Sequence, residues 1–132
     1  MIGKSFSKSP YHQIIKSINI YMFTKNNSSD YKPLITGIRI RPLVYGQKTN
    51  LCEFLLEQGH QLPWHNHPYE QTGFLISGKL IFRIGDESHE ALPGDSWCIP
   101  ENVFHGVEVL ENSHVIEIFS PVRPDYLPEN LK

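Results

Sequence analysis

The chain has 132 residues and a formal net charge of −2 at pH 7, the size of one domain that can bury a hydrophobic core without disulfides. This charge balance gives no basic surface for nucleic acid or an anionic membrane, so we expect small-molecule partners. Its two cysteines, Cys52 and Cys98, lie far apart, which favours two reduced thiols. No apolar run approaches the roughly 18 residues of a membrane span, and no signal-peptide pattern is present, so we expect a cytoplasmic protein.

The first part of the chain is polar and mixed in composition. We expect residues 1–33 to form an N-terminal arm, followed by a β-domain at residues 34–132. Within this arm, residues 17–23 have the composition of an edge strand or of a segment that crosses to a partner, and residues 25–30 that of a loop. An isolated sheet exposes strand edges that such an arm can cover, which favours a homodimer.

From Leu34 onward, short β-prone runs are separated by glycine and proline at the spacing of a sandwich or barrel. We expect turns at Ser77–Lys79 and Gly85–Asp86. The proline-rich tail from Pro121 lacks N–H groups for a central strand, so it should leave the sheet and lie across it. The sequence therefore predicts an all-β antiparallel domain. Its predicted strands are Ile38–Leu43, Asn50–Leu56, Thr72–Ile76, Lys79–Ile84, Asp95–Ile99, His105–Leu110 and Val115–Phe119.

Two histidines at positions i and i+2, His65 and His67, point to the same side of an extended strand. Gln71 follows four positions later, and His105 lies on a separate segment. Imidazole nitrogens suit divalent ions of intermediate softness. The sequence therefore predicts one divalent metal ion, Ni, Fe, Mn or Zn, held by His65, His67, Gln71 and His105. The neighbouring Glu70 should point the other way, and it replaces Gln71 only if a bulge shifts the register.

The alternative is that these histidines are ordinary polar groups of the barrel. Buried imidazoles without a metal or a partner would remain unpaired, which argues against it. The remaining histidines have no second ligand at short spacing, so we expect them to be solvated. They are His12, His60, His89 and His114.

Several other residues have an ordinary structural interpretation. Phe119 and Trp97 are expected in the core, and Asp95 after a glycine is expected to form a turn. Trp64 stands immediately before the histidine pair, so it is expected either in the core or at the mouth of a cavity.

Two blocks of the sequence carry a family resemblance. The first reads Gly59, five residues, His65, one residue, His67, three residues, Gln71, six residues, Gly78; the second reads Gly94, five residues, Pro100, one residue, Asn102, two residues, His105. These blocks, separated by 15 residues, resemble the two motifs of the cupin superfamily. The resemblance spans residues 34–124 and implies a double-stranded β-helix, the cupin jelly-roll barrel, with the metal inside.

Three positions depart from the cupin pattern. Gln71 stands where many cupins have Glu, Asn102 where the second motif usually has Gly, and Val109 where it often has Asn. Only the first departure, at Gln71, concerns a candidate metal ligand. A neutral amide leaves the full divalent charge on the metal, which favours polarising a substrate oxygen or acidifying water over easy oxidation.

The run from Val115 to Leu127 resembles the end of small KdgF-type cupins, which linearise 4,5-unsaturated uronates. This resemblance places the catalytic acid, aromatic residue and arginine of that family at Glu117, Phe119 and Arg123, with Glu here where the family has Asp. A carboxyl in an apolar cavity near a cation is a candidate general acid or base. Beyond Pro121, Arg123 can turn back and bind a carboxylate with two prongs. Alternatively, Glu117 and Arg123 form a structural ion pair.

Together these residues favour a metal-dependent isomerase or hydratase acting on a small carboxylated sugar, without an organic cofactor. An Fe(II)-dependent dioxygenase is a second hypothesis, since three histidines and one oxygen donor also occur in oxygen-activating cupins. A non-catalytic small-molecule-binding or sensor module is a third. No helix-turn-helix pattern or basic stripe accompanies the β-domain, and regulatory cupins usually carry one.

Overall fold

The computed structural model describes residues 21–131. In this range the chain forms eight strands and two short 3-10 helices. The strands are β1 (Lys32–Ile35), β2 (Ile38–Tyr45), β3 (Asn50–Leu56), β4 (Gln61–His65), β5 (Glu70–Ile84), β6 (Glu87–Ala91), β7 (Ser96–Ile99) and β8 (His105–Ser120), and the helices are Pro124–Tyr126 and Pro128–Asn130. Neither helix within residues 21–131 has the length and apolar character needed to cross a membrane.

All strand pairs are antiparallel, in the order β1-β2-β3-β8-β5-β6, with β4 against β8 and β7 against β5. The long strands β5 and β8 pair along nearly their whole length. The first half of β5 also pairs with β7, and its second half with β6. These shared strands join the two parts of a barrel, and the prediction of an all-β jelly roll is confirmed.

The predicted turn at Ser77–Lys79 is wrong, because the two strands expected on either side of it are one strand, β5. The pairing of β5 with β8 shifts register between Leu75 and Leu80, so the strand bends without a turn. Gly78 lies in this region with φ of 105°. The predicted strands at residues 105–110 and 115–119 are likewise one strand, β8.

Three strands escaped prediction because their sequences lack an apolar alternation. Strand β6 reads Glu-Ser-His-Glu-Ala, and four of its five residues are exposed. Pro63 interrupts β4, and β1 has only four residues. By contrast, β3 has the predicted bounds, and every second residue from Asn50 to Leu56 is buried.

The core fills the interior of the barrel with apolar side chains from alternate strand positions. The C-terminal segment closes one side of it: the ring of Tyr126 packs edge-on against Phe54 and Phe119, with centroids 5.9 and 5.4 Å away. Its backbone has left the sheet, as the prolines predicted.

The N-terminal arm is described only from Tyr21 onward, so His12 and most of the expected strand at residues 17–23 lie outside the described residues. Tyr21 forms an isolated antiparallel bridge with Tyr45, with N–H to oxygen distances of 2.8 and 3.1 Å. The boundary expected between residues 33 and 34 stays a prediction, and β1 begins at Lys32.

Candidate metal centre

The strand register brings the three predicted histidines together. His65 on β4 pairs directly with His105 on β8, and their ring centroids are 4.4 Å apart. His67, two residues further on, has its ring centroid 4.9 Å from that of His105. One nitrogen from each ring lies within 4.8 Å of the other two. The three imidazoles therefore form one cluster of candidate metal ligands.

Hydrogen bonds to the backbone orient two of these rings. Nδ1 of His65 lies 2.7 Å from the carbonyl oxygen of Pro63, and Nδ1 of His105 lies 2.9 Å from that of Val103. Such bonds fix the tautomer of a metal-ligating histidine and leave Nε2 for the metal.

A metal fits the buried nitrogen of His105 in this cluster. Nε2 of His105 is buried and has no hydrogen-bond partner among residues 21–131. An unpaired polar atom inside a protein is costly, so such an atom calls for a partner that the described residues do not supply. Three imidazoles and an oxygen donor suit a first-row divalent ion.

Gln71 supplies that oxygen. Its side chain is buried, and Oε1 lies 2.9 Å from Nε2 of His67. The adjacent Glu70 is exposed on the other side of the strand, so no bulge exchanges the two residues. Gln71 is therefore placed to act as the fourth donor.

Burial keeps His67 and His105 uncharged. It lowers the pKa of His105 to about 4. Burial also lowers the pKa of His67, and the positive charge of Arg123 lowers it further. Both rings are therefore neutral at neutral pH, and neutral imidazole is the form that binds metal.

Glu117 lies buried beside the cluster. Its Oε2 accepts a hydrogen bond from Nε2 of Gln71, and its Oε1 accepts one from the indole N–H of Trp97 at 3.2 Å. Burial raises the pKa of Glu117 to about 8, although the two hydrogen bonds and the charge of Arg123 oppose the rise. A carboxyl group in this environment exchanges its proton near neutral pH.

Arg123 is positioned by its backbone and by aromatic rings. Its N–H donates to Oδ1 of Asn50 at 2.8 Å, and its guanidinium carbon lies 3.8 Å from the ring centroid of Tyr126 and 5.3 Å from that of Phe119. Nε donates to Asp125 at 3.2 Å, so the alternative ion pair with Glu117 does not form. Neither terminal amino group of Arg123 has a hydrogen-bond partner among the described residues.

Several of these groups line one cavity, with a volume of about 40 Å³. Its polar lining includes His65, Gln71, His105, Glu117 and Arg123, and apolar residues form the rest. Three of the four candidate metal ligands, the candidate proton carrier and Arg123 therefore line the same space.

Trp64 is neither in the core nor part of the cavity lining, contrary to the two expected positions. Its side chain is 52% exposed, and its ring stacks on Phe104 with centroids 6.0 Å apart. It projects outward because it precedes His65, which points inward on the same strand.

The family model for the cupin domain matches residues 52–119, which include all four candidate ligands. This chain belongs to the cupin superfamily. A comparison of the sequence with curated proteins found no match.

Solved structures resemble this cupin over most of its length. KdgF from Halomonas sp. is 27% identical with a TM-score of 0.76, covering 80% of this chain and all of that one. An RmlC-like cupin from Shewanella frigidimarina is 19% identical with a TM-score of 0.78, covering 83% and 100% of the two chains. The polyketide cyclase RemF from Streptomyces resistomycificus is 20% identical with a TM-score of 0.66, covering 78% and 82%. The latter two show the fold.

Three residues near the cavity of this cupin were missed as contributors to the site. Trp97 was assigned to the core, and Asn50 and Tyr126 were assigned no role. Each acts across strands or through the C-terminal segment, and cross-strand neighbours cannot be read from a sequence without the register.

Three histidines expected to be solvated make contacts in the structure, and two of them are half-buried. Nε2 of His114 lies 2.5 Å from a carboxylate oxygen of Glu53, because the two residues project from the same face of adjacent strands. The ring of His60 lies against Gly37, where a Cβ would approach it to 2.2 Å. The exposed His89 lies 2.9 Å from Glu87.

Proposed function

We propose that this cupin is a metal-dependent isomerase that linearises 4,5-unsaturated uronates or closely related small sugar acids. The observation that carries this proposal is the cavity shared by Glu117, Arg123 and two histidines of the cluster, His65 and His105. The likeness to KdgF from Halomonas sp. supports the substrate class.

His65, His67, Gln71 and His105 would hold the metal. When bound, a divalent ion would supply Lewis-acid polarisation of a substrate oxygen. The identity of the ion, Ni, Fe, Mn or Zn, depends on availability in the cell, because this donor set accepts several metals.

Arg123 would bind the carboxylate of the sugar acid. Its guanidinium is held on the ring of Tyr126, and its terminal amino groups are unpaired among residues 21–131. A guanidinium binds a carboxylate through two parallel hydrogen bonds, which fixes the orientation of the substrate.

Glu117 would carry the proton. Opening the sugar ring removes the proton of the anomeric hydroxyl, breaks the bond from the anomeric carbon to the ring oxygen, and places a proton on that oxygen. The atoms balance without a co-reactant, so one carboxyl group can take and return the proton. The enol formed then becomes a ketone, which removes the conjugated double bond.

The size of the cavity limits how much of the sugar could enter it. Its volume of about 40 Å³ holds about three water molecules, less than a six-carbon acid needs. We therefore place the sugar ring on the side lined by Arg123 and Tyr126. Phe119, 1% exposed, forms part of the wall that keeps water from the reacting bonds.

A direct assay tests the proposed function. The protein with its measured metal content is mixed with an unsaturated uronate, and the ultraviolet absorbance of the conjugated double bond is followed. We expect faster loss of absorbance than in buffer, no oxygen consumption, and loss of the acceleration after treatment with a chelator. Oxygen uptake in step with turnover would favour the dioxygenase hypothesis instead. Binding of the sugar acid without turnover would favour a binding module.

We also propose a homodimer in the cytoplasm, as expected from the sequence. Phe74, Ile76 and Ile118 are 42–43% exposed on the neighbouring strands β5 and β8, and exposed apolar side chains on one sheet face favour association. Sedimentation of a 15.2 kDa species would contradict the dimer.

A further inference from the structure

A row of three residues crosses three neighbouring strands beside the candidate metal centre. Trp97 on β7 pairs with Gly73 on β5, and Gly73 pairs with Glu117 on β8. Directly paired residues of an antiparallel sheet project to the same face, so the three positions lie in line on the inner face. The outer two positions are about 10 Å apart across the middle strand.

Gly73 leaves the space through which the side chain of Trp97 reaches Glu117. A Cβ at Gly73 would lie 2.2 Å from Nε1 and 2.4 Å from Cε2 of Trp97. The indole therefore occupies the space above β5 that any larger residue would fill. Its N–H reaches Oε1 of Glu117 at 3.2 Å. Gly73 is not one of the residues with positive φ, so glycine is required here for space.

The second carboxyl oxygen of Glu117, Oε2, orients the candidate metal ligand Gln71. It accepts from Nε2 of Gln71, while Oε1 of Gln71 faces Nε2 of His67 at 2.9 Å. A side-chain amide has one donating end and one accepting end. A carboxyl oxygen that accepts from the amide nitrogen therefore turns the amide oxygen the other way, toward the histidines.

We propose that Trp97 is a positioning residue, which reaches over Gly73 to hold Glu117 so that Glu117 keeps the amide oxygen of Gln71 facing the histidine cluster. This proposal deepens the proposed function and rests on its metal centre. Groups that orient metal ligands from behind are worth about 10- to 100-fold in metal affinity. Trp97 acts through one intermediate residue, so the lower end of that range applies.

The first test titrates Co²⁺ into the metal-free full-length protein. Trp97→Phe removes the indole N–H and keeps an aromatic ring, and we expect it to weaken Co²⁺ binding about tenfold. The matched control is Trp64→Phe, because Trp64 is exposed and outside the cavity. The Co²⁺ affinity of this variant should equal that of the wild type. Wild-type affinity in Trp97→Phe would overturn the proposal.

A double-mutant cycle tests whether Trp97 acts through Gln71. In a Gln71→Ala background, the added Trp97→Phe substitution should cause no further loss of Co²⁺ affinity, since the amide it orients is gone. The same tenfold loss in both backgrounds would overturn the proposed route.

A third measurement decides the proposal without metal. In the metal-free protein, Trp97→Phe should shift the side-chain N–H resonances of Gln71 in the NMR spectrum and leave those of the exposed Gln58 in place. Unmoved Gln71 resonances would overturn the positioning role even if the protein binds metal. Absence of Co²⁺ binding by the wild type would instead contradict the proposed metal function, and the Gln71 resonances would still decide the positioning role.

Discussion

The backbone N–H of Asn102 donates a hydrogen bond to the carbonyl oxygen of His67 at 2.8 Å. The turn before β8 is thus tied to the segment that carries the second candidate ligand. Asn102 has φ of 65°, in the left-handed region that glycine adopts freely and asparagine tolerates better than most residues. This conformation explains why asparagine can stand where the cupin motif usually has glycine.

The stability of variants at position 102 should follow how readily each residue adopts a positive φ. We expect Asn102→Gly to keep the stability of the wild type and Asn102→Val to lower the free energy of unfolding by about 1–2 kcal/mol. Urea unfolding of the two variants measures the difference. Equal stability of the valine and glycine variants would contradict the role assigned to the positive φ.

Replacing Glu117 by glutamine should impair proton transfer while preserving the shape of the side chain. With saturating metal, Glu117→Gln should lower kcat by about 10²–10⁴, the range typical of a positioned acid or base. Glu117→Asp keeps the carboxyl group one methylene shorter, and it should retain more turnover than the glutamine variant. Steady-state kinetics on an unsaturated uronate measures both. Near-wild-type kcat in Glu117→Gln would remove Glu117 from the proton-transfer step.

The sequence was most informative where a local pattern decides the geometry. The spacing of His65 and His67 predicts two rings on one side of an extended segment. Although β4 ends at His65, the structure brings both rings together with Gln71 and His105. The β-prone run likewise predicts β3 with its bounds, and its buried residues alternate in the structure. These features depend on the period of a strand, which is a property of the backbone.

Features that depend on pairing between strands were not predictable. The neighbours of Trp97 and Glu117 follow from the register of β7, β5 and β8, and nothing local to either residue encodes it. The polar strand β6 forms because β5 pairs with it, since its own sequence has no apolar face. The expected turn at Ser77–Lys79 failed for the same reason, because glycine there accommodates a bend within a continuous strand.

Removing the guanidinium should weaken substrate binding and leave the metal in place. We expect Arg123→Ala to lower kcat/KM by about 10- to 100-fold, mostly through KM, since a hydrogen bond to a charged group is worth about 1.5–3 kcal/mol. Metal content should be unchanged, because Arg123 is not among the candidate ligands. Arg123→Lys is the matched control; it keeps the charge but cannot form two parallel bonds, and it should recover part of the loss. Unchanged kinetics in Arg123→Ala would place Arg123 outside the substrate site.

The carboxylate of Glu53, on the outer face of the barrel, should make the free energy of unfolding depend on pH. Burial raises the pKa of Glu53, but hydrogen bonds from Arg41 and His114 outweigh this and hold it below its ordinary value of 4.5. Nε of Arg41 donates to Glu53 at 2.9 Å. A lowered pKa in the folded state stabilises the protein fully above the unfolded-state value, and this stabilisation is lost as the pH falls through the folded-state value.

Glu53→Gln should therefore lower the free energy of unfolding at pH 7, and the difference from the wild type should shrink below about pH 4. Urea unfolding across this range measures it. The matched control is Glu108→Gln, because Glu108 forms an exposed ion pair with Arg83 at 3.4 Å and exposed pairs contribute little. A difference at Glu53 that stays constant with pH would contradict the charge-based explanation.

The two cysteines should differ sharply in reactivity. Cys98 is exposed, whereas Cys52 is buried, and burial together with the nearby charge of Glu117 raises the pKa of Cys52 to about 12. The thiolate is the reactive form, so a buried thiol with a raised pKa is doubly protected. We expect an aromatic disulfide reagent to label one thiol per native chain rapidly and the second only after unfolding in urea. Cys98→Ser should abolish the rapid phase and leave the slow one, and two rapid phases in the native wild type would show that the barrel opens around Cys52 far more often than its packing implies.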